Sequence, residues 1–462
     1  MSAPFDYGDE ATDFLARHPE IEAIDIVLTD ANGIGRGKII RRHELAGLYR
    51  DGRHLPSSIL GLDVTGQDVE ETGLVWSVGD ADLRAWPLPG TLVPLPGTEP
   101  ARGQVLISLY QLDGRPHGAD PRHAMAARQR ALVADGRHPA GAFELEFYLL
   151  DREAGPDGRP RPAAMALDGR RHDQTQVYGL DDLDGMQPFF GPVYAAARAQ
   201  GLPLETLIAE YAPGQYELTL HYRHDLLRAA DDLVMLKRLV RLLARRQGMM
   251  ACFMAKPFAG LAGSGMHLHV CLNDREGRNL FAEPDGQGPP AEMLRHAIGG
   301  LAATMGDAML VFAPHANSWR RYVSNLYAPV QPSWGINDRS VALRIPAGPA
   351  ASRRVEHRPA GVDANPYLVG ATVLAGIRHG IALSVDPGPM AQNDGFTSAT
   401  PFTSQMPADW RTAWVQAGRS DFLREALGSD LLRAFLAIKQ AEIGRVAGTI
   451  PDTDYLLYIN HV

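Results

Sequence analysis

The run Met266-His267-Leu268-His269-Val270 constrains this chain more than any other stretch. Apolar and imidazole residues alternate in it, so a β-strand puts Met266, Leu268 and Val270 on one face and both histidines on the other. The apolar face needs a core, and the imidazoles must then look toward something polar or metallic. Just upstream, Gly263-Ser264-Gly265 places three small residues in a row, which lets backbone approach a ligand closely. A lone histidine would be an ordinary core or surface residue; two on one face beside such a loop point to a site.

Carboxylates with the same period occur elsewhere. Glu144 and Glu146 in Phe143-Glu144-Leu145-Glu146-Phe147 share one strand face, and Glu210 and Glu217 flank a Pro-Gly turn. In Arg353-Arg354-Val355-Glu356-His357-Arg358, a strand puts Arg354, Glu356 and Arg358 on one face. Each segment alone is more simply a solvated acidic face. Together with His267 they make five carboxylates and one imidazole, an oxygen-rich donor set suited to Mg²⁺ or Mn²⁺ rather than zinc. The interleaved Arg321, Arg339, Arg344, Arg354 and Arg358 supply what a site needs to hold phosphates and a substrate carboxylate. The chain has neither GxxxxGK[ST] nor a GxGxxG after a strand, so a nucleotide would not sit on a P-loop or a Rossmann turn. These residues predict metal-dependent phosphoryl transfer to a small anionic molecule, without naming the substrate.

The rest of the chain is read as a small mixed α+β unit followed by a larger one. Residues 21–28 predict a strand, Asp30 to Gly33 a turn, and residues 37–40 the return strand of a hairpin. Asp120-Pro121 opens a helix that Gly136 ends, and places a boundary just before it: 1–112 and 113–462. A strand is expected over 142–150, a polar surface loop over 151–176, and helices over 225–247 and 291–312. Arg238, Arg241, Arg245 and Arg246 read as a solvated helix face. The net charge of -9 excludes a general nucleic-acid binder and a protein drawn to anionic membranes. Two cysteines, no basic-then-apolar start and no apolar stretch of about 20 residues predict a reduced, cytoplasmic protein.

The ordered set ELE, AExAPGQYE, KPF…GSGMHLH, NDRSVALRIP and RRVEHRPAGVDANPYL resembles the glutamine synthetase family over nearly the whole chain. The resemblance implies an α+β fold: a small N-terminal β-grasp domain, and a large catalytic domain with an antiparallel strand funnel flanked by helices. The N-terminal domain of one subunit would complete its neighbour's site in a homo-dodecamer of two stacked six-membered rings. The implied reaction transfers the γ-phosphoryl of ATP to the side-chain carboxylate of L-glutamate, and an amine then displaces phosphate. Two or three Mg²⁺ (or Mn²⁺) ions are implied. One metal site would use Glu146, Glu210 and Glu217, the other Glu144, His267 and Glu356. Glutamate would lie against Gly263 with Arg321 and Arg358 on its carboxylates. Arg339 and Arg344 would clamp the transferring phosphoryl group, and the nucleotide would meet Glu205, Tyr222, His269, Arg344 and Arg354. Ala262 replaces an asparagine of typical members, in a contact made largely by backbone.

Two departures bear on the nucleophile. Bacterial ammonia-using members carry Asp-Gly-Ser-Ser where this chain has Leu55-Pro56-Ser57-Ser58, and a flap glutamate where it has Tyr327. Losing both acids removes charge-assisted hydrogen bonds of about 1.5–3 kcal/mol each. The resemblance therefore predicts a γ-glutamylamide synthetase using an organic amine. A small monoamine, ethanolamine first, is the expectation, with Leu55, Ser57, Tyr178 and Tyr327 around it and Glu210 or the acyl phosphate taking its proton. A polyamine, which would want acids at the entrance, and ammonia are the alternatives; a non-catalytic structural relative is the remote one. The tyrosine-bearing strip on which bacterial members are adenylylated is not recognisable around residues 387–400.

Overall fold

The computed structural model describes residues 3–462 except 172, 175, 284–289, 323–327, 330, 392–394 and 396–405. The expected tyrosine at position 327 and most of the 387–400 strip therefore lie outside the described residues.

The first sheet comprises β1 (Ala23–Thr29), β2 (Gly35–Arg41), β3 (Arg53–Pro56), β4 (Asp82–Pro87), β5 (Val93–Leu95) and β6 (Arg102–Tyr110). Its order is β2-β1-β6-β4-β3, with β5 also on β6. The central pair β1 and β6 is parallel, as in a β-grasp, and the other pairings are antiparallel. Both central strands are buried on both faces. Ile24, Ile26, Val105 and Ile107 fill the unit's own core with Leu55, whereas Val27 and Leu106 join the core of the rest of the chain. The run Val75 to Val78 is a turn of 3₁₀ helix rather than part of the sheet.

The second sheet contains β7 (His138–Asp151), β8 (Leu204–Ala209), β9 (Gln215–Leu220), β10 (Met249–Cys252), β11 (Leu268–Asn273), β12 (Trp334–Ile336), β13 (Leu343–Ile345) and β14 (Val355–His357). Its order is β12-β13-β14-β11-β7-β9-β8, with β10 along the end of β7. All pairings are antiparallel except β12 with β13. The spine is β7, whose 14 residues bury Phe143, Leu145 and Phe147 fully while Glu144 and Glu146 face the other way. Helices cover the apolar face. Leu226–Arg246 is capped by the Asp225 carboxylate, which accepts from the backbone N–H groups of Leu227 and Arg228. Pro121–Ala134 starts on the predicted Asp-Pro cap. Pro366–Leu383 has the length and apolarity of a membrane span, but most of it is buried against Pro121–Ala134 and Glu292–Phe312.

The expectation of a solvated arginine face on Leu226–Arg246 holds only for Arg245 and Arg246, which are exposed. Arg238 reaches the N-terminal sheet, donating to Gln104 at 2.8 Å and pairing with Asp25, and Arg241 lies 4.7 Å over the Phe253 ring. A guanidinium has enough apolar stem to lie along a core and keep its charge paired, which spacing alone cannot reveal.

A second tie to the N-terminal unit is ionic and fully buried. Lys439 in the helix Ser429–Ala447 donates to Asn32 Oδ1 at 2.5 Å and to Glu442 Oε2 at 2.8 Å. Glu442 also accepts from the backbone N–H of Val64 at 3.0 Å. Replacing Lys439 by Met keeps the volume but leaves the buried Glu442 carboxylate with only the Val64 N–H and His315 at 3.6 Å, so Lys439→Met should lower unfolding free energy by about 3–5 kcal/mol. Chemical denaturation of the variant beside wild type measures this; a loss under about 1 kcal/mol would mean the junction does not depend on the pair.

Candidate active site

Strand register assembles the polar face. Glu146 on β7 stands directly opposite Glu217 on β9, and on the other edge of β7 the backbone N–H of Glu144 donates to His267 O at 3.0 Å. Glu356 on β14 stands opposite His269 on β11 and opposite Arg344 on β13. Five short segments thus deliver their polar side chains to the same region. Ligand atoms of Glu144, His267 and Glu356 lie within 4.8 Å of one another, as do those of Glu146, Glu217 and His267. The first group is the expected one. In the second, His267 takes the place of Glu210, which joins neither group among the described residues; it follows β8 at the turn, beyond the paired ladder.

The imidazoles are oriented by hydrogen bonds. His267 Nδ1 and His269 Nε2 each meet a different oxygen of Glu144, both at 2.8 Å. Arg354 Nε donates to His269 Nδ1 at 3.0 Å, so in the neutral ring Nε2 carries the proton that Glu144 accepts. Glu356, 1% exposed, pairs with Arg344 at 2.7 Å and with Arg358.

Charge is distributed unevenly over the cluster. Burial favours the neutral form of Glu356, but Arg358, His269 and His267 outweigh it and hold the carboxyl down to about 2. Burial likewise opposes ionisation of Glu144, yet His269 and His267 keep it well below the ordinary range. On the other side Arg358 opposes the upward shift of Glu210 only weakly. Burial first, and then Glu146, push Glu210 up to about 7; burial, Glu144 and Glu146 push Glu217 well above its usual value. A carboxylate crowd of this kind fits hard divalent cations, and the residues that would hold them are Glu144, Glu146, Glu210, Glu217, His267 and Glu356.

Beside the cluster, the Gly263-Ser264-Gly265 loop packs against Arg321, which is 4% exposed. A Cβ on Gly263 would come within 2.9 Å of the Arg321 side chain, and one on Gly265 within 2.7 Å of its guanidinium, so both positions require glycine. Gly265 N–H donates to Glu146 at 2.6 Å, tying the loop to the carboxylates. Gln215 holds the loop from below through the Gly263 carbonyl at 2.9 Å.

On the other flank a cavity of about 1100 Å³ opens, lined by Glu205, Tyr222, His269 and Arg354, the residues expected around a nucleotide. Arg344 is absent from its lining and stays on Glu356. Cys271 and Asn273 also line this cavity. They continue the alternation begun by His267 and His269, a signal present in the sequence beyond Val270. His221 was not anticipated; it pairs with Glu205 at 2.7 Å.

Leu55, Ser57 and Arg339 also lie away from the cluster. Leu55, expected to pack on an amine, is fully buried in the N-terminal core, because on β3 it lies on the face turned to Ile107 and Leu109. Ser57 is buried as well, its hydroxyl donating to Leu74 O at 2.7 Å. Arg339, expected as a clamp, is exposed on the turn between β12 and β13 and makes no ion pair with the cluster among the described residues. Tyr178 is exposed, with φ of 61°, and its backbone N–H bonds the carbonyl of Ala209, next to Glu210.

A family profile described as "Glutamine synthetase, catalytic domain" matches residues 118–458. The chain belongs to the glutamine synthetase family. It is 36% identical over 449 residues to gamma-glutamylputrescine synthetase PuuA of Escherichia coli (strain K12), covering 97% of this chain and 94% of that one. It is 28% identical to the glutamate–isopropylamine ligase of a Pseudomonas species, over 97% of each chain. Glutamine synthetase of Thermus thermophilus is 30% identical over 79% of this chain and 82% of its own. Among solved structures, a GmaS/ADP complex superposes with a TM-score of 0.82 at 26% identity, covering 97% of this chain and 99% of that one.

The raised carboxyls set the pH behaviour. A folded-state value above the unfolded one means that the folded protein binds the extra proton, so Glu210 stabilises the metal-free protein at about pH 5 and loses this as pH rises through 7. Metal must displace the same proton. The melting temperature of metal-free protein should therefore fall between pH 5.5 and 8, and the rise on adding Mn²⁺ should be larger at pH 8 than at pH 6. Calorimetry checks both, and a metal-induced rise larger at pH 6 would contradict the assignment.

Proposed function

We propose that this protein joins the γ-carboxylate of L-glutamate to an organic amine at the expense of ATP, and that the acceptor is an aliphatic diamine of putrescine's size. The observation that carries the ligase reading is the convergence of Glu144, Glu146, Glu217 and Glu356 on His267, between a glycine loop with Arg321 and a nucleotide-sized cavity. Divalent cations bound there would neutralise carboxylates and phosphates together. Arg321 and Arg358 orient glutamate by its carboxylate. An oxygen of its γ-carboxylate attacks the γ-phosphorus of ATP, ADP leaves, and Arg344, held on Glu356 beside the cluster, would stabilise the charge that spreads over the phosphoryl oxygens. The amine nitrogen then attacks the acyl carbon, phosphate leaves, and the proton passes to Glu210 or to the departing phosphate.

The choice of amine departs from the monoamine expectation, which rested on Leu55 and Tyr327. Leu55 is buried, and position 327 lies outside the described residues. Beside Tyr178, whose backbone bonds the residue before Glu210, a cavity of about 450 Å³ is lined by Asp173, Asp181 and Asp182 together with Arg171. A second ammonium could be neutralised there, and the 36% identity to a putrescine enzyme over nearly the full chain supports the same choice. The division at residues 112 and 113, and the dodecamer, belong to this proposal. Exposed Trp76 on the N-terminal unit and exposed Leu456, Tyr458 and Ile459 at the C-terminus offer the apolar surface that subunit contacts would cover.

Phosphate release with ATP, glutamate and Mg²⁺ should be fastest with putrescine, slower with isopropylamine and ethanolamine, and slowest with ammonium. A monoamine or ammonium ranking above every diamine would overturn the acceptor. Glu356→Ala should retain less than a tenth of wild-type turnover while remaining folded by circular dichroism, since it leaves Arg344 and Arg358 without their shared carboxylate. Asp181→Asn should raise KM for putrescine by about two- to fivefold, the scale of an exposed ion pair, and leave KM for isopropylamine unchanged. Equal changes for both amines would remove Asp181 from the distal contact.

A further inference from the structure

Lys237 is a buried cation that the chemistry above does not use. It lies on the core face of the helix Leu226–Arg246, 6% exposed, and its ammonium donates to the carbonyl of Val362 at 2.7 Å. Its other neighbour is the Phe253 ring, 5.2 Å from Nζ to the centroid. Burial, helped by Arg241 and opposed by Asp363, lowers its pKa to about 7. An ammonium in such surroundings is costly, and a methionine of the same length would fill the space without that cost.

The carbonyl that it holds belongs to a strut behind the glycine loop. Pro359 O accepts from Arg321 Nη1 at 2.8 Å, and Ala360 O from the N–H of Met266 at 2.9 Å. Gly361 bridges Gly265, and the N–H of Val362 donates to Ser264 O at 3.1 Å. The next residue, Asp363, accepts from Ser318 Oγ at 2.7 Å, and Ser318 begins the 3₁₀ turn that ends at Arg321. Residues 359–363 are thus bonded at successive positions to the glycine loop on one side and to the arginine turn on the other. Lys237 reaches this strut from the helical layer.

We propose that Lys237 is a positioning residue for the glutamate pocket, fixing the 359–363 strut so that Arg321 and the Gly263–Gly265 loop keep their relative placement. This rests on the reading that those residues receive glutamate. The nucleotide cavity lies on the far flank of the carboxylate cluster and does not include the strut. Loss of the pin should therefore separate the two substrates kinetically, which a general loss of stability would not do.

The test is steady-state kinetics of the full-length Lys237→Met variant in its native assembly, with glutamate and ATP varied separately and putrescine as acceptor. KM for glutamate should rise about tenfold or more, with KM for ATP within about twofold of wild type. A glutamate KM within twofold of wild type in the folded variant overturns the proposal, as does an equal rise for both substrates. If Lys237→Met does not fold, Ser318→Ala frees the other end of the strut and should raise KM for glutamate selectively; an unchanged value there overturns the strut itself. A wild-type enzyme whose turnover does not depend on glutamate would instead overturn the reading of the pocket.

Discussion

Glu146 and Glu217 face one another across adjacent antiparallel strands, with Glu144 two residues away on the same face. Like charges directly opposite repel, and in a largely buried place the repulsion is poorly screened. The arrangement around them answers this constraint. His269 and His267 hold Glu144 well below the usual carboxylate range, and Arg358 with the same imidazoles holds Glu356 down to about 2, whereas burial and neighbouring carboxylates push Glu210 up to about 7 and Glu217 well above its usual value. The cluster is balanced on one side and open to cations on the other. Such a site is built to take up positive charge and, with it, phosphate.

The fold makes that crowding possible by putting the cost of assembly into apolar packing. Phe143, Leu145 and Phe147 anchor β7 from behind, and the helices Leu226–Arg246 and Pro121–Ala134 seal that face. Paired strands on both edges then fix Glu144, Glu146, Glu217 and Glu356 by register, since a one-residue slip would turn them into the core. The glycine loop brings Arg321 close without a side chain between them. Arg321, the carboxylate cluster and the cavity beside His269 become neighbours of a single strand.

Period-two alternation made most of this legible from the sequence. Histidines 267 and 269 on one face, Glu144 and Glu146 on another, and Glu356 between Arg354 and Arg358 all meet as the alternation requires. What sequence could not supply was the third dimension. Leu55 reads as a residue at an entrance when set beside the family's aspartate, but its strand turns it into the N-terminal core. Arg238 and Arg241 fit a solvated stripe by spacing, yet each spans a packed interface. Glu210 and Arg339 stand on turns, where no ladder fixes direction. Lys237 sits at a position that helical periodicity assigns to the core, and its charge becomes interpretable only once Val362 is seen beside it.

The account turns on the γ-carboxylate of glutamate attacking phosphorus before any amine bond forms. Glutamate labelled with ¹⁸O in its γ-carboxylate, incubated with the enzyme, ATP, Mg²⁺ and putrescine, tests this directly through mass spectrometry of the released phosphate. The account predicts one ¹⁸O in each phosphate formed, in step with γ-glutamyl amide. Phosphate that carries no label while the amide accumulates would contradict it.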